Sequence, residues 1–391
     1  MKKKLLPLLL AITCVFSASC GNTADNTGSS DKAVTTPTET TTTTELTTPT
    51  ETTTSQPSQT EVVTTTKTPA PTDPTENMGK AQKIELSGNK DDVFVVNEAC
   101  YAVTENAILY FEKGTTVRGD IGTSIELKMK EVSEITGLTY EYKNEPALAE
   151  NFKNYCPLYF EEGDFKDLNF DNSYVNIVVT ELVDAQIPYA YYNFVVLDPD
   201  YIYYDGEDDP GATYHELTHV IFLNNYADLG ETLNEGLATY FAEQILMNYG
   251  IQTWSWIMYY QPGNIDAAYI LKGADGFESE FYQNEYYDQY TYFYGYMFMS
   301  FIEETYGKEA FLDIADAVTK SDYERNFNGD TDEEIKENLK KSDEIIKGAI
   351  ISVTEEGVFE KFAGWYTDNN KRRFDDWKTY MTSIGEDVSF L

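Results

Sequence analysis

Three observations predict an α+β fold. Short apolar runs with strand character dominate from about Asp92 to Leu197, helix-like spacing of apolar residues takes over after Pro210, and about 310 residues follow a low-complexity N-terminal region. That length is enough for a sizeable core in two lobes.

Taken in order, Val93–Val96 and Ala107–Phe111 read as strands, Ser124–Ile135 as a helix, and Tyr174–Thr180 and Tyr191–Leu197 as further strands. Residues 81–209 therefore form an α/β N-terminal lobe, and residues 210–391 a mainly helical lobe that carries the candidate site. Asp209 is placed to cap backbone N–H groups and Pro210 suits the first helical position, so a helix begins there with His215 in its second turn. The loop just upstream, Asp198-Pro199-Asp200 and Asp205-Gly206-Glu207-Asp208-Asp209, is oxygen-rich. It offers either the ligand chemistry of Ca²⁺, without EF-hand spacing, or an acidic turn that complements the helix dipole.

The N-terminus has its own character. Met1-Lys2-Lys3-Lys4 and the apolar stretch Leu5 to Phe16 have the basic and apolar regions of a secretory signal over residues 1–19, too short to span a bilayer. Ser17-Ala18-Ser19-Cys20-Gly21 resembles a bacterial lipoprotein box, which implies lipidation of Cys20 and an extracellular protein anchored to the outer face of the cytoplasmic membrane. Ser17 departs from that pattern, where an apolar residue is usual, and plain cleavage with secretion is the other reading. Residues 20–80 are dominated by Thr, Pro, Ser and Glu, with almost nothing to bury, and read as a disordered tether. The formal charge of −39 argues against nucleic acid and anionic lipid surfaces as partners, leaving the lipid anchor as the only membrane contact. Cys100 and Cys156 are the only cysteines beyond Cys20 and either pair or remain two separate buried thiols.

The chain has only two histidines, and both lie in His215-Glu216-Leu217-Thr218-His219. At about 100° per residue, side chains at i and i+4 share one helix face and can hold one ion. His215 and His219 are thus candidate ligands of one Zn²⁺, and Glu216, beside that face, is the candidate general base for a water at the metal. A second apolar-periodic segment, Leu233-Asn234-Glu235-Gly236-Leu237-Ala238-Thr239-Tyr240-Phe241, carries a carboxylate that can complete a His/His/Glu set. Glu231, one turn earlier, competes for that role or supports it from behind.

These two segments resemble the gluzincin zinc peptidases, in particular the peptidase-MA-like group and, more distantly, the M1 aminopeptidases, in which a second helix brings a glutamate to the metal from an Asn-Glu-Gly motif. The resemblance implies a zincin-like catalytic domain with the sheet over the active helix, Glu235 as third ligand, and hydrolysis of peptide or protein substrates. It also implies a transition-state tyrosine in a Tyr-x-x-Gly context, for which Tyr292 with Gly295 fits, although neighbouring tyrosines make an aromatic core helix an equal reading. No Gly-x-Met-Glu-Asn segment precedes the site, so nothing argues for an exopeptidase. A surface binding protein with a structural zinc, and a zinc amidase acting on a non-protein substrate, are the competing functions. Arg118-Gly119-Asp120 spells an adhesion tripeptide, with a turn before a helix as the plainer reading. The aromatic stretch Phe281 to Phe301 reads as a buried helix rather than a carbohydrate platform.

Overall fold

The computed structural model describes residues 79–140, 159–161, 164–165, 174–182, 188–191, 194–203, 211–226, 228–250, 277–282, 287–383 and 385. The signal, the tether with Cys20, Cys156, and the Asp205–Asp209 loop with Pro210 lie outside them. No described helix is long and apolar enough to cross a membrane.

Among the described residues, eight strands precede a run of helices: β1 (Gln82–Lys83), β2 (Val93–Val95), β3 (Cys100–Val103), β4 (Ala107–Phe111), β5 (Thr116–Arg118), α1 (Ile121–Thr136), β6 (Val175–Val179), β7 (Tyr189–Tyr191) and β8 (Phe194–Leu197), then α2 (Gly211–Asn225), α3 (Glu231–Asn248), α4 (Phe277–Phe281), α5 (Tyr287–Tyr306), α6 (Glu309–Thr319), α7 (Asp332–Val353) and α8 (Val358–Ser383). The α+β expectation is borne out, with the helices gathered in the C-terminal part.

Six strands form one mixed sheet in the order β1-β3-β4-β6-β8-β7, and β2 pairs with β5 separately. The central strands β4, β6 and β8 run parallel and are buried along their whole length, which explains their nearly unbroken apolar sequences. Alternate side chains serve opposite faces. Leu109, Phe111, Ile177, Val179 and Leu197 face α1 and α2, while Ile108, Tyr110, Val178 and Val196 face the other way. The one polar residue inside β6, Asn176, is fully buried and accepts from the Tyr110 hydroxyl at 3.0 Å.

The run Tyr191–Leu197 is not one strand. Tyr191 pairs antiparallel with Phe194, so the chain reverses inside that apolar run and β7 becomes the last described strand at its end of the sheet. Asn193, a turn-prone residue between Tyr191 and Phe194, is the sequence signal for this reversal.

Helix α1 docks on the sheet through Ile121, Ile125, Met129 and Val132, spaced along one face. It ends at Gly137, whose φ of 75° is the left-handed conformation glycine adopts cheaply. Arg118 and Asp120 bind each other through two guanidinium to carboxylate hydrogen bonds of 3.0 and 2.7 Å, and Arg118 lies 3.9 Å over the Tyr203 ring. The tripeptide is therefore a structural corner with both charges engaged.

Helix α3 joins two cores. Ala242, Ile245 and Leu246 pack with the sheet side, and Leu233, Leu237, Tyr240 and Phe241 pack with α5 to α8. Residues 293–302 of the aromatic stretch are buried helix, with Phe298 stacked among Tyr294, Phe359 and Phe362, as its periodicity predicts.

Candidate metal centre

Helix α2 is held at its start and along its back. Thr213 donates to the carbonyl of Tyr201 at 2.6 Å, which ties its first turn to the short 3-10 segment Pro199–Tyr201. Asp198 accepts from the N–H of Asp200 at 2.9 Å and of Leu182 at 2.7 Å, so its carboxylate caps backbone. Tyr214, the residue before His215, donates to Glu131 on α1, and the Lys128 ammonium lies 4.1 Å over its ring. These contacts fix the rotation of α2 and aim His215 and His219 away from the sheet toward α3.

Three donor atoms converge there. His215 Nε2 lies 3.0 Å from His219 Nε2 and 3.0 Å from Glu235 Oε2, and His219 Nε2 lies 3.3 Å from the same oxygen. Two imidazole nitrogens this close are compatible only with a proton or a cation between them. A tetrahedral ion with bonds of about 2.0 to 2.1 Å requires donors about 3.3 Å apart; these donors, 3.0 to 3.3 Å apart, form a somewhat contracted triangle of the chemistry that could hold a metal ion. Among the described residues this is the only group of three or more His, Cys, Asp or Glu that could hold a metal ion. Asp198 and Asp200 join no such group, and the remaining acids of the predicted calcium loop lie outside the described residues.

The electrostatics follow from burial. Desolvation works against the Glu235 charge, yet the two imidazoles, by charge and hydrogen bond, hold its carboxyl well below the usual range. Burial lowers His215, whereas for His219 burial is outweighed by the Glu235 carboxylate and its pKa rises. Glu216 is 9 % exposed and sits outside the triangle. Burial pushes its carboxyl up to about 8, while His219 and the Ala190 N–H on β7, which donates to it, act in the opposite sense. The Glu216 carboxyl thus lies buried next in sequence to His215 and accepts from the backbone of β7, the last described strand at its end of the sheet.

Two further residues complete the surroundings. His215 Nδ1 lies 3.4 Å from the Thr239 hydroxyl on α3, which favours the tautomer that leaves the Nε2 lone pair free for a metal. The half-buried Tyr292 on α5 stacks on His215 with ring centroids 5.6 Å apart and planes at 27°. The structure thus brings together His215, Glu216, His219, Glu235 and Tyr292. It does not bring Glu231 to the donor triangle: Arg325 claims that carboxylate. Asn234 of the Asn-Glu-Gly segment points backward and donates to Asp228 at 2.8 Å, which also accepts from Gly230 N–H, fixing the turn before α3.

Thr239 was readable as the residue four places after Glu235 on the same face, but only the tertiary contact gives it meaning. Arg325 and Ala190 carried no local signal. Cys100 is buried and free of any disulfide among the described residues, outside which Cys156 lies.

No protein-family model and no curated protein sequence matches the chain. Among solved structures, a functionally unknown conserved protein from Bacillus anthracis str. Ames is similar with a TM-score of 0.36 and 14 % identity, over 71 % of this chain and 51 % of that one. The match thus spans about half the length of that structure.

Proposed function

We propose that the protein is an extracellular zinc-dependent metallopeptidase of the gluzincin type, tethered to the membrane through Cys20. The observation that carries this reading is the convergence of His215, His219 and Glu235 on a tetrahedral edge length, with Glu216 beside them. When bound, zinc supplies the Lewis acidity that makes water nucleophilic at neutral pH and polarises a scissile carbonyl. His215, His219 and Glu235 hold it, and Thr239 orients His215. Glu216 takes the proton from the attacking water and returns it to the leaving amine. Tyr292, whose ring stacks on His215, would donate its phenolic hydrogen to the developing oxyanion. An extended peptide would pair along β7, the last described strand at its end of the sheet, whose Ala190 N–H engages Glu216.

Variants His219→Ala and Glu235→Gln test the ligand set. Both are expected to lose stoichiometric zinc together with cleavage of a mixed peptide library. Wild-type protein that holds zinc but cleaves no peptide transfers the reading to a structural zinc or to an amide outside proteins.

A further inference from the structure

Glu231 and Glu235 lie one turn apart on α3, and side chains spaced four residues apart on a helix share a face with Cβ atoms roughly 6 Å from each other. Only Glu235 belongs to the donor triangle. Glu231 is drawn instead to Arg325, in the segment between α6 and α7. The arginine donates to Glu231 through Nη2 and to both oxygens of Glu278 on α4 through Nε, at 2.9 and 3.1 Å. The two carboxylates are 13 % and 4 % exposed at the side chain, so each depends on a positive partner.

The arginine is itself fixed in place. Its guanidinium lies 4.4 Å over the Phe327 ring, and the carbonyl of the preceding Glu324 accepts from Ser342 on α7 at 2.6 Å. Asp343, next along α7, accepts from the N–H groups of Glu278 and Ser279 at 3.1 and 2.8 Å, which seats α4 under the arginine. On the other side, Asp228 adds a negative charge close enough to act on His219.

We propose that Arg325 is a positioning residue for the metal centre: by holding Glu231 against Glu278 it keeps a second α3 carboxylate out of the coordination sphere and leaves one metal position open. A buried carboxylate deprived of its guanidinium turns to the nearest other cation. For Glu231 that would be a metal ion held through Glu235, one helical turn along α3. A fourth protein ligand closes a site that catalysis needs open. The inference rests on the zinc-hydrolase reading above, but coordination tests it independently of turnover.

Cobalt(II) in place of zinc reports ligand number and type by visible absorption, and chelator competition reports affinity. Wild type is compared with Arg325→Met, Arg325→Lys and the double variant Arg325→Met/Glu231→Gln. In Arg325→Met the cobalt spectrum is expected to change, metal affinity to hold or rise, and peptide cleavage to fall at least about tenfold. Glu231→Gln in that background returns the spectrum and cleavage toward wild type. Lysine supplies a point charge where a fork stood and gives a smaller change in the same direction, which preserves the test if the methionine variant does not fold. A wild-type spectrum in both single variants, or a change that Glu231→Gln does not reverse, overturns the proposal. Wild type that takes up no metal overturns the zinc reading together with it. Metal uptake with the spectral change but no cleavage of any peptide leaves the arginine's role standing and overturns the peptidase.

Discussion

Gly236 and Gly295 meet backbone to backbone where α3 crosses α5. A Cβ on Gly236 would fall 2.5 Å from the carbonyl carbon of Gly295, and one on Gly295 would fall 2.4 Å from the carbonyl oxygen of Thr232. Side-chain atoms do not approach backbone that closely, so only glycine permits this crossing. The contact lies one residue after Glu235 and three after Tyr292, and it fixes the approach of the helix that carries Glu235 to the one that carries the tyrosine stacked on His215.

Gly295→Ala is therefore expected to push α5 off α3. Overpacking of this kind costs about 1 to 3 kcal/mol, which lowers the melting temperature of a chain this size by several degrees. Tyr292 moves further than the ligands do, so zinc affinity should fall less than cleavage. Differential scanning calorimetry with chelator competition and a peptide assay checks the order of these effects.

Thr239→Val keeps the shape at the back of His215 and removes the hydroxyl, whereas Thr239→Ser keeps the hydroxyl. Losing a partner that orients a ligating imidazole costs about 10- to 100-fold in metal affinity. The valine variant should show that loss and the serine variant should retain most of the affinity. Equal affinities for valine and wild type would remove Thr239 from the account.

Asp343 offers a pH test away from the metal. Burial raises its carboxyl pKa against the hydrogen bonds from Ser279 and Glu278 that lower it. A raised folded-state pKa favours the protonated form, so its contribution to stability is complete below the unfolded value of about 3.9 and declines as pH rises through the folded one. The stability advantage of wild type over Asp343→Asn should shrink between pH 4 and pH 7. Urea unfolding at the two pH values measures it, and an advantage that grows with pH would reverse the assignment.

Burial pushes the Cys100 thiol up to about 11, leaving it protonated and enclosed at pH 8. Iodoacetamide at that pH should modify Cys100 slowly in the folded protein and rapidly in guanidinium chloride, as followed by mass spectrometry. Rapid modification of the folded chain would place the thiol at the surface.

What could be read from the sequence is what a single helix encodes. The His215 and His219 pair and Glu216 depend on spacing within about one turn of α2, Glu235 on the resemblance carried by its Asn-Glu-Gly segment, and the strands β4 and β6 on apolar runs broken only by Asn176. Helices α2 and α3 are buried nearly all round, so their apolar periodicity said little about which neighbours they meet. Contacts between distant segments stayed hidden. Arg325 reaches Glu231 across 94 residues of chain and engages one of the two α3 carboxylates between which spacing alone does not choose. The hairpin of β7 and β8 turns between Tyr191 and Phe194, where Asn193 is one polar residue inside an otherwise aromatic and apolar run. Gly295 drew notice only as part of a tyrosine motif, and its physical reason lies in the backbone of another helix.

Glu216→Gln tests the central claim most directly, because it removes the proposed base while leaving all three donors in place. Wild type and variant are measured side by side for bound zinc and for cleavage of a mixed peptide library. The account predicts one zinc per chain in both proteins and cleavage by wild type alone. Near-native cleavage by the variant, or wild-type protein that binds no zinc, would contradict it.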